Sequence, residues 1–445
     1  MNPELLRNFW LEATPFKLVR TAGLLLLVFG LCMAAPGGIL SPDHAAMALY
    51  WLFAVLWGTR SAAMSVVGEI RERTWDGQKL SALGPTEMTW GKLLGATSAN
   101  WFGALPCLAV IMMPVWIGTG PGRALAYGAV LLALGLFAQA VALLSSLVLI
   151  RRDTGNWRLD AFLCQIAGIG GGMLYYSLWG SASAFEGNGA DMVVWWGNAF
   201  RLDTFHMVSL LLFLGWAMVG CWRMMRAELR FANGPFVWLA YLTYLCVYTA
   251  GLETAIPQFV LAYIGALSPS AIRLGLVSFV LLSSAYGMTF LEPKDPVLLR
   301  WLGEQIRAGR FLKALLAFDT WMLSYGAAMA AGLFLALELL SNGAVHLMLP
   351  VMAMLGFLTR DVAILVLMSI YIGRRGDFFG LSLLATLYLF IPTILHGLKV
   401  ADFDFVLRPV IANISNVIAA WSQAVACVAW SLWSLRRERR AKCVG

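Results

Sequence analysis

Charge is the scarcest thing in this sequence. Asp, Glu, Lys and Arg make up 13% of its 445 residues, about half the share of a soluble globular domain. That excludes a chain able to wrap a single apolar core in a solvated surface. With 60% apolar residues, lipid must cover the rest. Histidine is nearly absent: His44, His206, His346 and His396 are scattered, with no metal-ligand spacing, so no metal is expected. The seven Cys show no zinc or redox spacing. Cys32, Cys107, Cys164, Cys246 and Cys427 lie in apolar runs and read as small core residues. There is no Pro- or Ser-rich linker, no low-complexity tract and no loop long enough for a separate domain. A phosphate-binding loop is also missing. The nearest lookalike, Gly84…Gly91-Lys92-Leu93, has six residues where the motif has four, and Leu93 stands where Ser or Thr would hold magnesium.

What is present is a series of apolar runs near 20 residues long. They predict an all-α polytopic membrane protein with about twelve spans: 20–36, 45–67, 93–118, 124–150, 160–182, 205–222, 235–253, 269–291, 317–341, 347–372, 378–397 and 411–434. Residues 255–267 are apolar but short. Residues 21–35 have the look of a signal peptide, but the amphipathic segment before them carries Glu4 and Glu12, so a retained first helix is expected. With the N-terminus placed in the cytoplasm, Lys and Arg fall about five to one on the cytoplasmic side, which puts both termini there. The formal charge of +8 then belongs to short membrane loops, and no nucleic-acid partner is expected. The non-cytoplasmic stretch near 183–204, with Glu186, Asp191, Trp195, Trp196 and Arg201, has room for a short interfacial helix.

The resulting organisation is an amphipathic interfacial segment 1–19 and a six-helix unit 20–230. Connecting helices 231–291, a second cytoplasmic segment 292–316, four further helices 317–435 and a basic cytoplasmic tail 436–445 follow. Some of it recurs. Asn2-Pro3-Glu4-Leu5-Leu6-Arg7 is similar to Asp295-Pro296-Val297-Leu298-Leu299-Arg300, each an N-cap with Pro in the first helical position. Thr59-Arg60 matches Thr359-Arg360, and Arg151-Arg152 matches Arg436-Arg437. Spans 9–12 are therefore candidates for a parallel repeat of spans 1–4.

Ionisable groups inside spans are costly and worth marking. Arg60, Asp319, Arg360 and Asp361 stand out, with Glu253 and Glu338 near span ends. Arg360 and Asp361 point about 100° apart on a helix. They are therefore expected to reach other helices as inter-helix ties, with Arg60 and Asp361 as a candidate pair. The Gly168–Gly172 run suggests a close helix crossing.

The most informative stretch is the loop 68–92 between spans 2 and 3. Glu69-Ile70-Arg71-Glu72-Arg73-Thr74-Trp75-Asp76 alternates charge with apolar anchors. Gly84-Pro85 breaks the segment into two short helices, and Gly91-Lys92-Leu93 closes it. By its residues alone the stretch reads either as a solvated membrane loop with interfacial Trp or as a docking surface, where Trp and Arg anchor another protein while neighbouring charges set register. The pattern resembles permease subunits of ATP-binding-cassette transporters of the type-2 exporter-like class. There an acidic-basic run, a Thr, a Leu-rich stretch, a Pro turn and a closing Gly-Lys-Leu follow the second membrane helix. Segment 2–19 is similar to the elbow helix of that class.

The resemblance implies a bacterial inner-membrane, multi-pass permease that is not itself an enzyme. Its coupling helix would contact a separate ATPase subunit through Glu69, Arg71, Glu72, Thr74, Trp75, Asp76 and Lys92. ATP and magnesium would sit on that partner. The short loop 373–377 leaves one docking site per chain, so a second permease chain, identical or related, would complete the transporter. The sequence departs from the class in three places. Arg73 stands where Gly usually precedes the Thr, Pro85 lies closer to Lys92, and about twelve spans replace six. Two other readings are an ion- or proton-coupled secondary transporter and a polytopic membrane enzyme.

Overall fold

The computed structural model describes residues 2–34, 41–81, 83–149, 157–184, 192–231, 233–252, 267–292, 294–373, 376–398, 404–407 and 414–443. Almost all of them are helical, as expected of a chain that must satisfy its backbone polar groups within lipid. Each of the twelve apolar runs contains a helix among its described residues. Nine are long and apolar enough to cross a membrane. A tenth, Phe236–Ala250, is apolar but shorter. The protein is thus an all-α, multi-pass membrane protein. Segment 255–266, Arg151-Arg152, Glu186, Asp191, Glu253 and Arg374-Arg375 lie outside the described residues.

The chain divides into two compact units, Met1–Val193 with Phe200–Asn233, and Val194–Ala199 with Gly234–Gly445. In the first, α1 (Pro3–Glu12) leads into α2 (Pro15–Ala34). Segments Pro42–Tyr50, Trp51–Trp57 and Gly58–Arg71 form one continuous helix, α3, with a π-helical middle. After the short α4 (Trp75–Lys79) come α5 (Pro85–Thr119), α6 (Pro121–Leu149), α7 (Trp157–Ala184) and α8 (Leu202–Glu228). The break expected at Gly84-Pro85 starts α5 rather than a separate short helix. Glu87 caps the Gly84 N–H at 3.1 Å, and the helix then runs unbroken through Pro106 and Pro114.

The organising helix is α6, packed by α3, α5, α7 and α8. Its small residues permit this: Ala138, Ala140 and Ala142 are fully buried. A Cβ added to Gly168 of α7 would meet the Ala138 carbonyl at 2.7 Å, so the Gly168–Gly172 run is a close crossing within an unbroken helix. By contrast α2 is barely packed, with Leu26, Leu27 and Leu31 exposed as a lipid-facing helix requires.

Among the described residues of the stretch near 183–204, the interfacial helix it has room for is replaced by a hairpin. Met192–Trp195 and Asn198–Arg201 are strands β1 and β2. Val193, Val194 and two Trp favour strand, and Trp196-Gly197, both at positive φ, make the tight turn.

The second unit holds α9 (Phe236–Ala250), α10 (Pro269–Leu291), α11 (Pro296–Arg307), α12 (Phe311–Leu316), α13 (Thr320–Ser341) and α14 (Val345–Ile372). After them come α15 (Gly376–Gly397), α16 (Asp404–Leu407) and α17 (Ile414–Cys443). Its centre is α14, packed by α13, α15 and α17. The internal parallel is partial. Asn2 caps α1 and Asp295 caps α11, each accepting from backbone N–H groups with Pro at the first position. Thr59 and Thr359 each donate to the carbonyl four residues back, and α3 packs on α5 and α6 as α14 packs on α15 and α17. The parallel stops at the first helix: α13 packs broadly on α10, whereas α2 is largely bare.

Candidate functional site

The loop between α3 and α5 is held by a buried ion cluster. α3 ends on a left-handed residue, Arg73 at φ 58°. Thr74 N–H bonds back to the Glu69 carbonyl (2.9 Å) and Arg73 N–H to that of Ile70 (3.1 Å), which closes the helix and turns the chain into α4. Gly91 and Gly95 sit on one face of α5, where α1 lies against them. A Cβ on Gly91 would come within 2.8 Å of the Leu5 nitrogen, and one on Gly95 within 2.7 Å of Asn8 Cβ.

That close approach puts Glu4 (2% exposed) beside Lys92 (0% exposed) at 3.3 Å. Lys92 also pairs with Glu69 and donates to the Ser65 carbonyl at 3.2 Å. Arg7 bridges the same two carboxylates, at 2.9 Å to Glu4 and 2.5 Å to Glu69. Asn8 donates to Glu4 (2.9 Å) and Gln78 to Glu69 (2.5 Å). Two anions and two cations balance, so Glu4 and Lys92 are buried in a cluster without net charge that opens to solvent at Arg7, the condition under which burial of ions is tolerable. Burial alone would raise the Glu4 carboxyl, but the charges of Lys92 and Arg7 and the hydrogen bonds from Arg7 and Asn8 hold it below the usual glutamate range.

The residues expected to form a contact surface therefore divide. Glu69, Trp75 and Lys92 face inward: Trp75 is buried, with the Lys92 ammonium 5.1 Å from its ring centre. Arg71, Glu72, Thr74 and Asp76 lie on the exposed side with Leu80. The exposed side is tied down as well. Lys79 links Asp76 (3.5 Å) to Glu228 at the end of α8 (3.4 Å), and the Arg71 guanidinium lies 4.2 Å over Trp157 of α7. Glu4, Arg7, Asn8 and Gln78 were not singled out by the loop pattern. The signals for them were Gly91 and Gly95, four apart on one face, and the i,i+4 pair Glu4–Asn8.

The intramembrane charges sit in different settings. Asp319 is the N-cap residue of α13, ahead of the span. Arg360 and Asp361, contrary to the expectation from their helical angle, pair with each other at 2.9 Å. The long guanidinium arm folds back along the helix, because at about 1% exposure neither charge has water to turn to. Arg360 also donates to the Leu407 carbonyl (3.1 Å) and to Gln423 (3.0 Å). The other carboxylate oxygen of Asp361 accepts from Tyr286 (3.0 Å) and Tyr388 (2.7 Å). Arg60 therefore is not needed to neutralise Asp361. Tyr388 lies in a π-helical turn, Thr386–Phe390. Asp361 and both tyrosines border a cleft of about 440 Å³ otherwise lined by Leu, Phe, Met and Ala.

Among the described residues no group of His, Cys, Asp and Glu is arranged to hold a metal ion. No protein-family model, curated protein or solved structure matches the chain.

Proposed function

We propose that this chain is the membrane permease subunit of an ATP-driven transporter of the ATP-binding-cassette type, exporter-like, served by a separate ATP-binding subunit. The observation that carries the reading is the two-faced loop. Its exposed face (Arg71, Glu72, Thr74, Asp76) is available to a partner, while its inner face (Glu69, Trp75, Lys92) is clamped to α1 and α5. A displacement imposed on the outer face would be passed to α3 and α5 rather than absorbed, as conversion of ATP-driven closure into alternating access requires. In this reading the inner three position the loop and the outer four make the contact. ATP and magnesium belong to the partner. α3, α7 and α9 complete twelve spans, both termini are cytoplasmic in a bacterial inner membrane, α1 is the elbow, and a second permease chain completes the assembly.

The test is a pull-down of the tagged chain from native membranes with an ATPase assay. An ATP-binding subunit should co-purify, and Glu72→Lys, at an exposed position outside the loop's internal ties, should release it without changing the permease's own unfolding. If the chain emerges alone, the reading fails.

One observation favours a second reading, an ion- or proton-coupled secondary transporter: Asp361 is a buried carboxylate at an apolar cleft. There, Asp361→Asn would abolish ion-dependent uptake, and no ATPase would be found.

A further inference from the structure

Arg60 has a setting unlike that of its sequence counterpart Arg360. It lines a pocket of about 460 Å³ in the first unit together with Lys17 and Arg20, and with Glu12, Thr21, Leu24, Trp57 and Asn100. Lys17 and Glu12 neutralise each other at 2.7 Å. Asn100 is engaged with Ser61 at 2.8 Å. Neither Arg20 nor Arg60 has an ion-pair or hydrogen-bond partner among the described residues. The pocket thus presents two unmatched guanidiniums, a net charge of about +2 at neutral pH.

Depth matters here. Arg20 lies about 8 Å along α2 from Pro15, and Arg60 about 16 Å along α3 from Arg71, at a rise of roughly 1.5 Å per residue. Uncompensated cations within or at the edge of a span are costly, and their long side chains can extend toward the interface where lipid headgroups lie. The helix that forms one wall, α2, is bare on its outer side, with Leu27 and Leu31 each 61% exposed. An anionic head between the guanidiniums would leave its acyl chains running along those leucines.

We propose that this pocket binds the phosphate of an anionic membrane lipid, taken between Arg20 and Arg60 with its chains along α2. The charge demands an anion, the planar fork of Arg suits phosphate oxygens, and the adjoining apolar helix selects a lipid over a soluble phosphate. The inference does not depend on the transporter reading.

The test uses the purified full chain in detergent, titrated separately with phosphatidylglycerol, phosphatidylcholine and inorganic phosphate. Bound lipid is counted by native mass spectrometry and the unfolding midpoint is followed alongside. Phosphatidylglycerol should be retained and should raise the midpoint, while the other two should do so weakly. Arg20→Gln and Arg60→Gln should each weaken phosphatidylglycerol binding about fivefold, the worth of one basic group at an anionic surface, and Arg60→Lys should retain most of it. Arg20 and Arg60 are both exposed, so both variants should fold. Equal binding of the two lipids, or unchanged affinity in both Gln variants, would overturn the proposal. Inorganic phosphate displacing the lipid at equal concentration would overturn the lipid assignment in favour of a soluble anion.

Discussion

Arg73 and Arg230 hold φ of 58° and 63°, values that glycine adopts freely and other residues reach at a cost of about 1–2 kcal/mol. Replacing either by Gly relieves that strain but loosens the unfolded chain, so Arg73→Gly is expected to stabilise by at most about 1 kcal/mol. A small rise in the thermal midpoint in detergent would show it, and a fall would mean that the Arg73 side chain holds the loop.

Lys92→Gln leaves Glu4 and Glu69 with only Arg7 between them and is expected to cost about 3–5 kcal/mol. Adding Glu4→Gln should recover part of the loss, because the two residues share one network. A double variant worse than the sum of its parts would contradict the cluster. The same carboxyl gives a pH dependence. Glu4 sits below its unfolded value in the folded state, so docking of α1 is fully supported above about pH 4.3 and weakens as the pH falls through the lower folded value. Protection of the amides in residues 3–12, taken relative to the intrinsic exchange rate at each pH, should fall between pH 6 and pH 3, before that of the spans.

At the scale of elements, apolar run length read out the helices well, because a bilayer imposes both length and apolarity on whatever crosses it. Run length is silent about how helices end and bend. Helices ending at Arg71, Glu228, Arg307 and Ser341 all close on the same backbone pair of bonds. Gly309 and Gly343 announce two of those ends, whereas Arg73 and Arg230 conceal the others behind a residue type that normally avoids the conformation. The π-helical turns at Trp51–Trp57, Gly91–Gly95 and Thr386–Phe390 leave no such trace. Nor did helical angle foretell the Arg360–Asp361 pair, since side-chain length outweighed the direction of Cβ. The crossing of α6 and α7 gives a clean contrast. Gly168→Leu has no room beside Ala138 and Ala142, whereas Gly170→Leu meets nothing within 4 Å. The first should cost about 1–3 kcal/mol in detergent unfolding and the second almost nothing. Similar losses for both would argue against this packing.

For the whole molecule, the basic residues and the helix lengths make separate statements. The charge bias requires an even number of crossings between the termini, while among the described residues the helices that meet both length and apolarity are nine. α3, α7 and α9 decide between these, and of them α9 at 15 residues is the shortest. A reporter fused after Gly445 and active only in the cytoplasm should be active. An inactive reporter on a correctly inserted chain would mean an odd number of crossings. Arg223 and Arg226, read from the sequence as part of a short cytoplasmic loop, lie in the last turns of α8, with Arg230 just beyond it. The Glu4–Lys92 clamp was not legible, because its partners are nearly ninety residues apart in sequence.

That separation has a consequence for how the protein is made. α1 leaves the ribosome before α5, and the lysine that neutralises Glu4 follows some 88 residues after it, about 4–18 s at a synthesis rate of roughly 5–20 residues per second. Throughout that interval the N-terminal helix has two acidic groups, no partner cation from α5 and an apolar face with nowhere in the protein to go. It must wait on the membrane surface while α2 and α3 insert, and it can be locked in place only when Gly91 and Gly95 arrive to receive it. A helix synthesised ahead of its partners is thus among the later ones to find its place.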